Sequence, residues 1–523
     1  MDDLNMEKVK EMKKYSWIVI ALLFLLFVGS GIVVNPFYGD VNVIDEGQFG
    51  GWITHMLHGQ KLYKDTYAAY GPLYIYPSYM LAKIFGSSVF LIRIVYLVLG
   101  TLGALIAAKV AMQRLEIKNY IQYLILALLL IIPGFGMRQG TGLGALLVLD
   151  KAIVTNKKKW WLVSGMAVVV TLLVSSDMGI FIGVISAIVI FIQFVKSVTL
   201  KKTFQNLLYF FGGVVLVVFP FLLFASIDGW VTFYFQTIID DYTSYSGMGL
   251  PNGQAFPNLL ALLEHAKNPI EILKVFVSKE AVLYWNYFLY FCLFAYLTIL
   301  FLIKGKIENT FIILITVFGF FLSLILLGRF GHIPFVIPIS FIIIGYVASR
   351  LTSLPTSKIR NLILIVIIIF SLRFISFYRP HFIKLFDIPT KIFNTSTNSK
   401  FVGPIAISGA QNRQFLFIQN FINKNVKHAQ TIFFLGNEPV MYLVADRVSP
   451  SRFNLPEVIN SKAKRYELIN DLERSKTKYI IYNTSSWDVD GVSNMERLPE
   501  VMHYISENYT KTINSGFVIY KRN

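Results

Sequence analysis

Two adjacent carboxylates, Asp45 and Glu46, follow soon after the apolar run WIVIALLFLLFVGSGIVV at 17–34. A carboxylate held still beside a membrane can take the proton of an attacking hydroxyl, and such general-base help contributes about 10²- to 10⁴-fold to a rate. A second acid beside it can orient the acceptor or shift the proton affinity of the first. The same residues also have a structural reading. Phe49, Trp52, Ile53, Met56 and Leu57 recur at helical spacing, with Gln48, Gly51, His55 and His58 on the opposite face. Residues 46–58 therefore read as a short amphipathic helix lying in the outer interface. Asp45 with Gln48 matches a capping box, and Gly59 is a natural stop. Such a cap stabilises a helix by about 1 kcal/mol, and one residue can serve as both cap and base. His55 and His58 could supply two metal ligands, or simply face solvent.

The elements that must hold these residues are membrane helices. Of 523 residues, 55% are hydrophobic and 15% charged, the balance of a polytopic membrane protein. The run at 17–34, YIQYLILALLLIIPGF (120–135), NLLYFFGGVVLVVFPFLLFA (206–225) and NLILIVIIIFSL (361–372) have the composition of spans, and about eleven are expected by this criterion. The first reads as a retained span and not a cleaved signal. Lysine and arginine gather in alternate loops: MEKVKEMKK, Arg114 with Lys118, Lys157 to Lys159, Lys196 with Lys201 and Lys202, Lys304 with Lys306, and Lys358 with Arg360. Those loops face the cytoplasm, and the C-terminus lies outside. The net charge of +18 is this bias dispersed over many loops, which argues against a nucleic-acid partner. The single cysteine, Cys292, excludes an internal disulfide framework.

Residues 1–378 then form the membrane domain, with external loops at about 35–88 and 226–280. Residues 379–523 form a soluble α/β domain outside: helices at 411–424 and 461–476, strands at 431–436, 478–482 and 516–522.

The segment from Asp45 to Arg93 resembles the first external loop of the GT-C superfamily, membrane glycosyltransferases that use polyprenyl-phosphate sugars. Protein O-mannosyltransferases and aminoarabinose transferases of lipid A are among them. The resemblance rests on Asp45-Glu46 after the first span, Gly59 with Tyr63 and Asp65, Gly71-Pro72-Leu73 opening a helix, Phe85-Gly86, and Arg93 heading the second span. FFLGNEPVMYLVADRVSPSRF in the C-terminal part is similar to an element of the superfamily's external domains. The resemblance implies a polytopic GT-C fold with an extracytoplasmic α/β domain in a bacterial cytoplasmic membrane. It implies inverting transfer from a polyprenyl-phosphate-linked sugar to a glycan, lipid or protein hydroxyl, with Asp45 as base and Glu46 beside it. Tyr63, Asp65 and Tyr70 would meet the substrate. No cofactor is expected, a divalent cation being the one alternative.

The leaving phosphate needs fixed positive charge. Arg93, Arg138 in PGFGMRQGTG, and Arg329 with His332 in GRFGHIPFVIP are the candidates, each of which could instead snorkel or pair within the bundle. Two departures argue against aminoarabinose transfer in particular. Tyr70-Gly71-Pro72 stands where those relatives carry a lysine, and Asp177-Met178-Gly179 where they carry Lys-x-Gly. The other readings of this composition are a transporter or flippase of a lipid-linked saccharide and an inactive envelope scaffold.

Overall fold

The computed structural model describes residues 37, 39–131, 135–196, 200–247, 263, 264, 267–276, 290, 293, 309–324, 333–353, 361, 400–488 and 492–523. The expected span at 17–34, nearly all of 361–372, Cys292, Arg329, His332 and the boundary near 378 lie outside these residues. The chain divides into two units. One gathers Pro36–Val95, Val218–Asn252 and Thr390–Asn523; the other gathers Met1–Asn35, Tyr96–Val217 and Gly253–Pro389.

The first of these units carries the acid pair. Its helices are α1 (Asp45–Leu57), α2 (Pro72–Phe85), α3 (Val89–Val95), α4 (Val231–Gly247), α5 (Gly409–Asn425), α6 (Val440–Ala445), α7 (Lys462–Ser475), α8 (Asn494–Arg497) and α9 (Pro499–Asn508). Its strands are β1 (Phe433–Phe434), β2 (Tyr479–Asn483), β3 (Tyr509–Asn514) and β4 (Phe517–Arg522), in the order β1-β2-β4-β3. β1 and β2 are parallel, and the other two pairings are antiparallel. Serines write several helix starts: Ser408 accepts from the Gln411 amide, Ser461 from that of Lys464, and Ser493 forms a capping box with Glu496.

β2 and β4 are buried on both faces, successive residues alternating between two cores, whereas β3 is exposed beyond Tyr509. Tyr479, Ile481, Phe517 and Ile519 point into a core shared with Val41, Ile53, Val89, Phe415 and α6. Ile480, Val518 and Tyr520 alternate into a second core with Leu468, Leu472, Val501 and Ile505. The first core joins residues near the start of the chain to residues near its end. The loop before α1 is tied in the same way, since Gln411 of α5 brackets Val41, accepting from its amide at 2.8 Å and donating to its carbonyl at 3.0 Å.

The second unit is a bundle of apolar helices. Among the described residues three helices are long and apolar enough to cross a membrane, Val89–Arg114, Ser176–Val195 and Lys201–Ile227, and shorter apolar helices run at Asn119–Leu130, Thr310–Ser323 and Val336–Leu351. Within the bundle, Lys158–Val174 and Leu200–Ile227 pack backbone to backbone. A Cβ on Gly165 would sit 1.9 Å from the Phe210 carbonyl oxygen, and one on Gly213 would sit 1.9 Å from that of Leu162, the close approach that small residues permit in lipid. Asp150 is almost fully buried, and it accepts from Arg114 Nε and Thr310 Oγ1, both at 2.5 Å. The chain is thus a polytopic helical membrane protein with a small mixed sheet near its C-terminus.

Candidate active site

The acid pair opens α1, and the cap of that helix differs from the expected one. Asp45 is not the N-cap: it lies inside the helix, and no side chain bonds at Ile44, the position before it. The cap is supplied by Asn42. Its Oδ1 accepts from the amides of Ile44 at 3.1 Å and Asp45 at 2.9 Å, so two of the orphan donors of the first turn are satisfied there. The Asn42 amide donates back to Glu46 Oε2 at 3.0 Å, the reciprocal half of a capping box shifted three residues towards the N-terminus. The expected stop does hold, since Gly59 takes a φ of +85°, as glycine does after a helix.

The two acids have different surroundings. Glu46 accepts from Arg93 Nε at 2.8 Å and Nη2 at 3.0 Å in addition to the Asn42 amide. Arg93 also donates from Nη2 to the carbonyls of Gly39 at 3.2 Å and Asp40 at 3.0 Å. This fork-to-carboxylate pair fastens α3 to α1 and to the loop before it, so Arg93 acts here on Glu46 and the backbone. Asp45 is exposed and accepts one bond, from Asn42 Nδ2 to its Oδ2 at 2.7 Å. Among the described residues nothing donates to its Oδ1. Of the pair, Asp45 keeps one oxygen unengaged among the described residues, and Glu46 accepts three hydrogen bonds.

Helix α1 does not lie in the interface as an amphipathic helix would. Both of its faces are covered: Gly47, Gly50, Gly51, Trp52, Ile53, Thr54, His55 and Met56 are buried. The side without large residues rests on α6 and on Asn454 in the loop that follows it. A Cβ at Gly47 would lie 2.6 Å from the Val440 amide, and one at Gly51 would lie 2.8 Å from Asn454 Nδ2. His55, expected on a polar face, is fully buried, and its Nε2 accepts from the Ser449 amide at 3.1 Å. Nδ1 therefore carries the proton and donates to Thr66 Oγ1 at 3.1 Å. Burial, with His58 nearby, pulls its pKa down to about 3, so the ring is neutral. His58 instead meets Asp446 at 3.0 Å. Among the described residues no group of three or more His, Cys, Asp and Glu side chains is gathered as a metal would need.

The remaining expected site residues fall as follows. Tyr63 is fully buried with a φ of +64°. Its hydroxyl donates to the Tyr70 carbonyl at 2.7 Å, and its ring packs on Trp230 at 5.2 Å and Tyr234 at 4.9 Å. It joins the segment before α2 to the residues that open α4. Asp65 accepts from the Lys61 amide at 2.9 Å and closes the same turn. Tyr70 is half-buried in an aromatic group with Phe49, Trp52 and Tyr74, and its centroid is 5.0 Å from that of Tyr74. Arg138, in the other unit, donates to Ser175 Oγ at 2.9 Å and pairs with Asp177. The acid that replaces a lysine in the expected motif is therefore the partner of this arginine. Sequence reasoning missed Asn42, Ser449 and Thr66. Only Asn42 left a signal, because Asn42-Val43-Ile44-Asp45 is itself a capping pattern.

Residues 411–523 match a family model described as "Putative competence-induced protein Ccs4 C-terminal domain". No curated protein sequence matches the chain. Among solved structures, the oligosaccharyltransferase AglB of Archaeoglobus fulgidus with an inhibitory peptide and a dolichol-phosphate is similar at a TM-score of 0.47 and 12% identity, covering 98% of this chain and 74% of that one. ArnT of Cupriavidus metallidurans bound to undecaprenyl phosphate is similar at a TM-score of 0.51 and 10% identity, covering 97% of this chain and 98% of that one. Over almost the whole of both chains, the fold is similar to that of this ArnT structure.

Proposed function

We propose that this protein is an inverting glycosyltransferase of the outer face of the cytoplasmic membrane, with a polyprenyl-phosphate sugar as donor and Asp45 as general base. The observation that carries the reading is an exposed carboxylate, one oxygen of which accepts nothing among the described residues, held at the capped start of a buried helix in a chain with the GT-C fold. The similar ArnT structure holds undecaprenyl phosphate, which supports a lipid-linked donor. An oxygen of the acceptor hydroxyl attacks the anomeric carbon on the face opposite the phosphate. Its proton passes to Asp45 Oδ1 as the bond from the anomeric carbon to the phosphate oxygen breaks and polyprenyl phosphate leaves. One displacement inverts the centre. Glu46 and Arg93 hold the start of α1 still, a loss of which costs rate through misplacement. The leaving phosphate needs fixed positive charge, and Tyr70 with its aromatic neighbours is the surface proposed for the substrate.

The test is transfer of labelled sugar from undecaprenyl-phosphate-linked hexoses and pentoses by purified protein in nanodiscs, with an envelope extract from the producing cells as acceptor. Asp45→Asn is expected to lower transfer at least 10²-fold while leaving the thermal midpoint in place. Full transfer by that variant sinks the assignment, and no transfer from any donor by the parent protein sinks the transferase reading itself.

A further inference from the structure

We infer that Asn42 is a positioning residue for the reaction, selecting which oxygen of Asp45 receives the proton. The inference rests on Asp45 as the base. The orientation of the Asn42 carboxamide is set by the backbone. Its Oδ1 faces two amide donors, Ile44 at 3.1 Å and Asp45 at 2.9 Å, which only an acceptor can satisfy, so the NH₂ group must be the one turned to Asp45. That group donates to Oδ2 at 2.7 Å. A donor held on one oxygen stops the carboxylate's rotation. With Oδ2 occupied, Oδ1 is left to face the acceptor. The backbone of the same residue binds the other acid and the helix, since its amide donates to Glu46 Oε2 at 3.0 Å and its carbonyl accepts from the Gly47 amide at 3.1 Å. Asn42 thereby couples the helix cap, the Glu46–Arg93 clamp and the proposed base in one side chain and one peptide unit.

The other charged groups around this turn are engaged elsewhere. Glu46 is paired with Arg93. Asp40 accepts from the Ser408 amide at 2.6 Å. Glu438, two residues before the start of α6, accepts from Asn483 Nδ2 at 3.1 Å. The Asn42 carboxamide is therefore the contact through which the orientation of Asp45 can be altered while the cap is preserved.

Asparagine, aspartate and serine cap a helix about equally well, which separates the cap from the contact. Asn42→Asp keeps the acceptor at the helix start and puts a carboxylate oxygen where the donor was. Asn42→Ser keeps the acceptor and shortens the side chain away from Oδ2. In the transfer assay with undecaprenyl-phosphate-linked sugars, we expect Asn42→Asp to move the acidic limb of the kcat–pH profile up by about one unit or more. We expect Asn42→Ser to lower kcat about tenfold with KM unchanged and with a thermal midpoint close to that of the parent. Asp45→Asn is run alongside. An inactive Asp45→Asn with parental profiles for both Asn42 variants overturns the role of Asn42 and leaves the base reading standing. An active Asp45→Asn overturns the base reading and this inference with it. If Asn42→Asp fails to fold, Asn42→Ser decides, because a residue that merely caps loses neither kcat nor the shape of the profile.

Discussion

Breaking the Glu46–Arg93 pair is the most informative perturbation of this site. The side chains are 14% and 4% exposed, and Glu46 takes both of the Arg93 donors that face it. Removing one partner of so buried a pair leaves an uncompensated charge and costs about 3–5 kcal/mol, whereas removing both leaves neutral groups. Glu46→Gln strands the guanidinium on two backbone carbonyls, and Arg93→Met strands a carboxylate on the Asn42 amide. At about 2–4 °C per kcal/mol for a unit of this size, each single substitution should lower the thermal midpoint by roughly 6–20 °C. The double substitution should lower it by less than the worse single one. The assay is thermal unfolding of the purified protein in detergent, completed as a double-mutant cycle. Additivity within about 0.5 kcal/mol would refute the clamp, since residues that do not interact add. An Arg93→Met protein that keeps its midpoint and loses transfer would return Arg93 to the phosphate, where the resemblance first put it.

Three further outcomes are expected. Gly47→Ala should destabilise by about 1–3 kcal/mol, because its Cβ would meet the Val440 backbone amide at 2.6 Å. Gly50→Ala should be nearly neutral, since it meets the movable Leu443 Cδ2 at 3.0 Å; midpoints measured side by side decide this. His55→Ala should cost about 2–4 kcal/mol by opening a cavity and orphaning the Ser449 amide, read by the same melt. The pH dependence of stability should follow two opposed groups. Burial raises the Glu438 pKa from 4.5 to about 7, so its contribution is full below 4.5 and lost as pH rises to 7. That of His55, lowered from 6.5 to about 3, is full above 6.5 and lost as pH falls towards 3. Between about pH 4.5 and 6.5 the two slopes, near 1.4 kcal/mol per pH unit each, offset one another. Glu438→Gln should uncover a midpoint that climbs with pH in that window, and a flat profile in the variant would contradict the assignment.

Much of this architecture could be read from local patterns. Long apolar runs mark helices able to cross a membrane, the glycine after α1 takes a positive φ without the clash a Cβ would bring, and the strands around Ile480 and Ile519 alternate between two buried faces. The capping of α1 was ambiguous for a local reason: Asn42-x-x-Asp45 and Asp45-x-x-Gln48 are overlapping patterns of equal quality. The tie is broken by Glu46, which Arg93 and the Asn42 amide hold in the second turn position, and Arg93 is forty-seven residues away. His55 and His58 look alike on a helical projection. Their difference, one neutral and sealed, the other exposed beside Asp446, is made by residues nearly four hundred positions later. Tyr63 reads as a substrate residue by motif and is packed on Trp230, another long-range partner. Short-range signals thus located these residues, and long-range packing set their surroundings.

The seat of α1 has a consequence for biosynthesis. Helix and seat are joined by a hydrogen bond spanning 394 positions of the chain, and at 5–20 residues per second the ribosome needs roughly 20–80 s to supply the second after the first. Over that interval the glycine face of α1 has no surface on which to lie. The contacts that seat the turn bearing Asp45 are therefore completed only after the residues around Val440 and Ser449 have been made.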